Sequence, residues 1–419
     1  MTDSGSGRGS IDTDERGRFG RAMTTARSLA IVVLVVTAAS LAGCGMLGGG
    51  GGGGGGGDDG VDGAAQGNVD APREVSEPMD PSASEVFSRV TEIMDVEAEA
   101  PGVRVTNLPT GQNQSTAFVT AMVGLPDDPQ RLRVPVNATY DPEENSVLFN
   151  DETVFDLNGS RTEYLLAYNF ALGIHYQNDW IDTNSSQSAV LRGTLEAVMR
   201  EYADEYDLDG NLVTAHDSAD AAFEASTPYE WATFDALNYY GAEYVDSQID
   251  SASEIPSIYE DGLPETTEQL LHDTDEGPTD LSVRTDVSNW WIDERMPFLE
   301  STLGELGTRA VLRSQLSASD AAAAADGWGD DTGMAFTSAR NSSAGAVWVH
   351  SWDSASEADE FVNATEAYAE ARSDDTYAVN VTRPAEDTTV VVAHRGNFMS
   401  NVEIAYADGT VEVVVGGGS

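Results

Sequence analysis

The residue types that could build a zinc centre or a nucleophilic site are sparse in this chain. There are five histidines (His175, His216, His272, His350 and His394) and one cysteine, Cys44. No two histidines stand within a helical turn of each other, so no H-x-x-x-H pair can present two imidazoles on one helix face. His350 and His394 have no second donor at ligand spacing and read as packed or surface residues. Glu205-Tyr206-Asp207-Leu208-Asp209-Gly210 has the look of the first half of an EF-hand loop, but its twelfth position is His216 where a bidentate glutamate is needed. The chain carries no G-x-S-x-G, P-loop or dinucleotide fingerprint. These residues lead us to expect no metal, no cofactor and no catalytic set.

The elements around these positions are more informative. From Tyr164 to Asn178, Tyr164, Leu165, Tyr168, Leu172 and Tyr176 fall at helical spacing, while Leu166, Phe170 and Ile174 make the other face apolar. A helix apolar on nearly all sides belongs in a core. A second long helix opens at Ala189 and runs to about Tyr206. Pro228 to Trp231 and Tyr239 to Val245 form a third, whose dense aromatics read as core packing.

Four phrases, on these elements and after them, resemble a zincin-like (H-E-x-x-H) metallopeptidase family, and with its leader the chain resembles a haloarchaeal cell-surface lipoprotein family in which that motif is degenerate. The peptidase family's active-site phrase is close to A-H-E-L-x-H-A-L-Q-D-Q; here Ala167 takes the leading alanine and Gln177 the closing glutamine. The resemblance puts the two metal histidines on Tyr168 and Leu172 and the general base on Asn169. The family's A-L-x-E-G-D-A, whose glutamate is the third zinc ligand, falls on Arg192 beside a retained Gly193. Leu263-Pro264-Glu265-Thr266-Thr267-Glu268-Gln269-Leu270-Leu271-His272 is similar to P-x-S-T-E-Q-x-L-H, and Gly327-Trp328-Gly329-Asp330 to a G-W-G-G-D element before a hairpin. The catalytic motif is therefore degenerate at Tyr168, Asn169, Leu172 and Arg192. Leucine has no donor atom, arginine keeps its proton, and an asparagine amide cannot serve as the base.

Composition sets the environment. The chain has 72 acidic residues against 21 basic ones, a formal net charge of -51, and every basic residue is arginine. Such carboxylate density repels itself in dilute buffer and becomes tolerable near molar salt, where the Debye length is about 3 Å. That is the composition of a halophile's protein. Trp, Tyr, Phe and Leu recur at regular spacing through the acidic segments, which argues against disorder of the main body. No basic stripe is present to neutralise phosphates, so nucleic acid is not an expected partner.

Several arginines precede the apolar run Leu29 to Val36, which closes on Leu41-Ala42-Gly43-Cys44. The run is too short for an ordinary spanning helix, and the tetrad resembles a lipobox, making Cys44 the site of lipidation. No two arginines stand adjacent ahead of it, so the twin-arginine pair common in haloarchaeal lipoproteins is missing. Gly48 to Gly57 is an unbroken glycine run that cannot pack a core and reads as a flexible tether. Behind a leader and lipobox, the sequons at Asn113, Asn137, Asn158, Asn184, Asn341, Asn363 and Asn380 become glycosylation candidates.

Past the tether, Asp80-Pro81 reads as a cap and first-turn proline for a helix carrying Val86, Phe87, Val90, Ile93 and Met94. Strands are expected at Val103 to Val105, Phe118 to Val123 and Val147 to Phe149. Beyond Thr279 a helix is expected through Leu316, then strands at Val347 to Asp353, Val379, Thr389 to Ala393, Val402 to Tyr406 and Val411 to Val415, with a helix from Ser354. The expected organisation is a signal peptide with lipobox (1–44), a tether (45–80), a degenerate zincin-like domain (81–279) and a smaller C-terminal α+β domain (280–419), α+β overall. The expected function is that of a lipid-anchored cell-surface protein on the outer face of the cytoplasmic membrane, non-catalytic, with a binding or envelope-structural role and S-layer or other envelope proteins as partners. The rival expectation is a zinc metallopeptidase using a displaced metal site.

Overall fold

A computed structural model of the chain describes residues 73–74, 79–108, 111–112, 117–124, 133–134, 137–151, 159–181, 185–208, 216–272, 274–288, 290–294, 302–372 and 377–416. The architecture is α+β, with helices gathered around several small open sheets. No helix among the described residues is long and apolar enough to cross a membrane.

The N-terminal half builds on a four-stranded sheet of order β1-β2-β6-β5, formed by β1 (Arg73–Glu74), β2 (Gly102–Thr106), β5 (Ala138–Asp141) and β6 (Ser146–Asn150). β2 and β6 run parallel and the other pairs antiparallel. Arg73 and Glu74, placed in the tether by sequence, pair with Val105 and Arg104 at the sheet edge. A smaller ribbon pairs β3 (Gly111–Gln112) with β4 (Arg133–Val134). Helix α1 (Ala83–Met94) is capped by Ser82, which accepts from the Glu85 amide at 3.3 Å, two residues later than the Asp80 cap expected. Its Val86, Val90, Ile93 and Met94 enter one core with Tyr140, Val147 and Phe149 of the sheet.

Between 117 and 123 the structure departs from expectation: Ala117–Val123 is a helix, α2, and not a strand. The run is apolar at nearly every position, so periodicity could not separate a buried strand from a buried helix. Tertiary contacts decide it. Phe118 meets Trp348 edge to face at 5.5 Å, and the carbonyl of Met122 accepts from Tyr368 Oη at 2.6 Å and Arg372 Nε at 2.7 Å. A segment expected in the first unit thus packs in the core of the second.

The central helices follow the sequence reading. α3 (Ser160–Gln177) is buried on almost every face, and α4 (Ser185–Glu205) packs beside it through Leu191, Leu195, Val198, Met199 and Tyr202. Then come α5 (Ala219–Ala225) and α6, built from Pro228–Glu230, a π-turn at Trp231–Asp235 and Ala236–Gln248. Short helices α7 (Ile255–Asp261) and α8 (Thr267–His272) lead to the C-terminal half.

That half is layered. A five-stranded antiparallel sheet of order β11-β12-β10-β9-β8 contains β8 (Trp291–Asp293), β9 (Trp328–Ser338), β10 (Ala344–Trp352), β11 (Ala378–Thr382) and β12 (Thr388–Arg395). One face is covered by α2, α9 (Gly304–Arg313), α10 (Ala318–Ala325) and α11 (Ala355–Arg372). The other packs on a three-stranded sheet of β13 (Val402–Ala407), β14 (Thr410–Val415) and β7 (Ser282–Val287). With both faces covered, all nine residues of β10 are buried. Trp291, expected to lead into a helix, lies instead on β8.

Candidate functional site

The four positions singled out by the resemblance lie on α3 (Tyr168, Asn169 and Leu172) and on α4 (Arg192), which packs on both α3 and α6. Gly193 on α4 makes the crossing with α6 close: a Cβ there would fall 2.1 Å from the Gly241 carbonyl oxygen, and one on Gly241 would fall 2.0 Å from that of Ala189. Only glycine lets the two backbones touch. The retained glycine of the resemblance therefore has a packing reason.

Of the four motif positions, Tyr168 and Arg192 come within electrostatic reach of each other. Tyr168 stacks on Tyr164 at 6.4 Å, and burial pushes its phenol up to about 12. Arg192 is buried, donates from Nη1 to Asn238 Oδ1 at 2.7 Å, and lies near Asp235 on the π-turn. Ser226 Oγ donates to Asp235 at 2.6 Å, holding that carboxylate in place. Leu172 lies in the hydrophobic core with Leu191 and Leu195. Asn169 turns back on its own helix, donating from Nδ2 to the Leu165 carbonyl at 2.7 Å. One turn beyond Arg192, burial lifts Glu196 to about 7. Tyr168, Asn169, Leu172 and Arg192, the positions the resemblance matches to a zinc site, offer neither three metal donors nor a carboxylate.

His175, in the last turn of α3, is fully buried and ties α3 to α4. His175 Nδ1 donates to the Ala171 carbonyl (2.7 Å), and its Nε2 lies 2.9 Å from Thr194 Oγ1, which is also 2.9 Å from the Leu191 carbonyl and 3.3 Å from Tyr259 Oη. Burial lowers His175 to about 4, in keeping with a neutral ring. His350 is enclosed by Trp348, Trp352 and Phe361 with ring centroids 4.2, 5.5 and 4.6 Å away, and burial lowers it to about 3. His394 Nε2 lies 3.0 Å from Asn380 Oδ1, and His216 is half-buried.

His272, which has no second histidine within a helical turn, is brought by the fold to a partner 33 residues on. His272 Nε2 lies 3.0 Å from Glu305 Oε1, and Asp326 joins the two. Arg309 donates to the same Glu305 oxygen through Nε at 2.8 Å and also through Nη2. Beside this group a second one forms from Glu268, Glu276 and Asp353. Glu268 lies in the P-x-S-T-E-Q-x-L-H-like phrase, yet nothing in local spacing links it to Glu276 or Asp353.

The phrase at Gly327 to Asp330 opens β9 as a hairpin strand, and the residue after it carries the structural load. Asp331 is buried and accepts from Leu303 N (3.0 Å), Gly304 N (2.7 Å), Trp328 Nε1 (3.1 Å) and Trp348 Nε1 (2.7 Å). Burial pushes Asp331 up to about 6 against the lowering effect of these donors.

Cys44 with its lipobox, and the sequons at Asn113, Asn158 and Asn184, lie outside the described residues. Asn341, Asn363 and Asn380 are exposed. Asn137 is buried, so a glycan there would displace packed side chains in the folded chain.

Residues 294–419 match the family described as a domain of unknown function (DUF8575). The match begins after β8, taking in α9 to α11 and β9 to β14 but leaving out β7, which pairs with β14. No curated protein and no solved structure matches the chain.

Proposed function

We propose that the chain is a haloarchaeal cell-surface lipoprotein, lipidated at Cys44, whose helical half is a zincin-like frame without zincin chemistry and serves binding or envelope structure. One observation carries the non-catalytic reading: the position that would supply the third zinc ligand is Arg192, buried and bonded to Asn238, while the second-histidine position is Leu172 in the core. A permanent cation at that point opposes a dication. The acidic composition and the lipobox-like tetrad support a salt-bathed, membrane-tethered location.

Two measurements test it. Protein purified in high salt should contain no stoichiometric zinc and should cleave no peptide in a chelator-sensitive way; zinc at one per chain with such cleavage overturns the reading. Cys44→Ser should leave the folded part intact and release it from the membrane, since acyl chains supply about 0.8 kcal/mol per buried methylene. A fully processed variant that stays in the membrane fraction removes the lipoprotein assignment.

The displaced-zinc reading would have to use His272, Glu305 and Asp326, the described group that contains an imidazole. Arg309 already neutralises Glu305 there, which weakens it as a zinc seat.

A further inference from the structure

Three carboxylates from separate stretches of chain converge where α8 meets the ends of β9 and β10. Glu268 projects from α8, Glu276 from the loop after it, and Asp353 from the residue following β10. One oxygen from each lies within 4.8 Å of the others. Glu268 is 7 % exposed, and no arginine, histidine or other donor reaches its carboxylate among the described residues. Glu305, within electrostatic reach of Glu268, is wholly buried, and its Oε2 lacks a hydrogen-bond partner among the described residues. The group is built rather than accidental. Gln269 Nε2 donates to the Glu276 carbonyl at 2.8 Å, Thr279 N donates to the Gly329 carbonyl at 3.0 Å, and Thr279 Oγ1 lies 2.5 Å from Ser351 Oγ, so the loop carrying Glu276 is fixed against both α8 and the sheet. The Asp353 amide is held by the Gly327 carbonyl at 3.0 Å.

A largely buried carboxylate with no counter-charge is costly, and holding two further carboxylates against Glu268 raises that cost. Arg309 spends its contacts on Glu305 Oε1, and the sequence has no lysine to supply another cation. We propose that Glu268, Glu276 and Asp353, with Glu305 beside them, hold a calcium ion that fastens α8 to the end of β10. All the donors are hard carboxylate oxygens, which excludes a preference for zinc or copper. Their spread suits an ion bound at about 2.4 Å from each oxygen, and the irregular set with two exposed members suits calcium, which accepts uneven coordination completed by water, better than magnesium, which demands a tight octahedron. Donors close along the chain give no expectation of a metal here, because this group is assembled only by the fold.

The test uses the full chain, stripped with chelator and kept in molar potassium chloride so that diffuse counter-ion binding is saturated. Calorimetric titration with calcium chloride should reveal one saturable site per chain, with a dissociation constant on the order of 10⁻⁵ to 10⁻³ M. Saturating calcium should raise the melting temperature at constant ionic strength, and magnesium should do so more weakly. Glu276→Gln and Asp353→Asn change exposed residues, so the fold should survive while calcium affinity falls about tenfold or more. Glu268→Gln should melt no lower than wild type without calcium and lose the calcium-induced rise. The proposal is overturned if wild type shows no saturable calcium site, or if Glu276→Gln and Asp353→Asn bind calcium like wild type. It is equally overturned if acidification to pH 5 alone gives wild type all the stability that calcium would, since a shared proton would then fill the role.

Discussion

Gly193 and Gly241 bring α4 and α6 into backbone contact, with no room for a methyl group on either side. Overpacking a rigid core costs ~1–3 kcal/mol, and more when the obstacle is backbone. Gly193→Ala should therefore destabilise the chain by about 3 kcal/mol or more, while the exposed Gly409→Ala, at a turn with nothing nearby, should cost only its left-handed backbone strain of about 1 kcal/mol. Denaturant unfolding of the two variants checks the contrast, and equal losses would contradict the close crossing.

The aromatic box around His350 gives a second expectation. Neither ring nitrogen has a hydrogen-bond partner among the described residues, and leaving buried polar atoms unpaired costs ~1–3 kcal/mol. His350→Phe should be at least as stable as wild type at pH 7. The folded value of about 3 lies below the ordinary 6.5, so the unfolded chain binds the extra proton between these limits. His350 therefore lowers stability progressively as pH falls from 6.5 towards 3. The advantage of His350→Phe over wild type should widen across that window, and a constant difference would refute the assignment.

Asp331 offers the opposite case, a buried carboxylate supplied with four donors. Asp331→Asn keeps the shape but turns an amide N–H towards donors and removes the charge. Breaking charge-assisted bonds in a core should cost about 3 kcal/mol or more. The loss should appear in the melting temperature and in near-ultraviolet dichroism from Trp328 and Trp348. Retention of both signals would mean the tryptophans are held by packing alone.

Salt should act on the whole chain. With a net charge of -51, removing salt lengthens the Debye length from about 3 Å near 1 M to about 30 Å at 0.01 M, so carboxylate repulsion grows. Melting temperature should fall steadily on dilution from molar to millimolar salt. A level profile would contradict the halophilic reading.

Much of this fold was legible because hydrophobic period is a strong signal. α3, apolar on all sides, and β10, with Val347 and Val349 alternating with Trp348 and His350, follow directly from their residues. Phe118 to Val123 was misread because an apolar run with no period fits either a buried strand or a buried helix, and the deciding partners, Tyr368 and Arg372, are distant in sequence. Gly193 could be noticed, but Gly241, which explains it, could not be paired with it from spacing. The meeting of His272 with Glu305, and of Glu268 with Glu276 and Asp353, depends on how α8, α9 and the end of β10 are brought together, and no local pattern encodes that.

β14 lies in register with β7, and Arg284 on one reaches Glu412 on the other across 128 residues. The loop closed by this pairing is long, and its entropy must be met before the three-stranded sheet can cover Val347, Val349, Val390 and Val392. Because β14 sits between β13 and β7, the cover over that face of the five-stranded sheet is complete only when residues 410–415 are in place. An apolar face completed only by the last strand is exposed in any chain that lacks β14, and such transiently open surfaces are where aggregation starts.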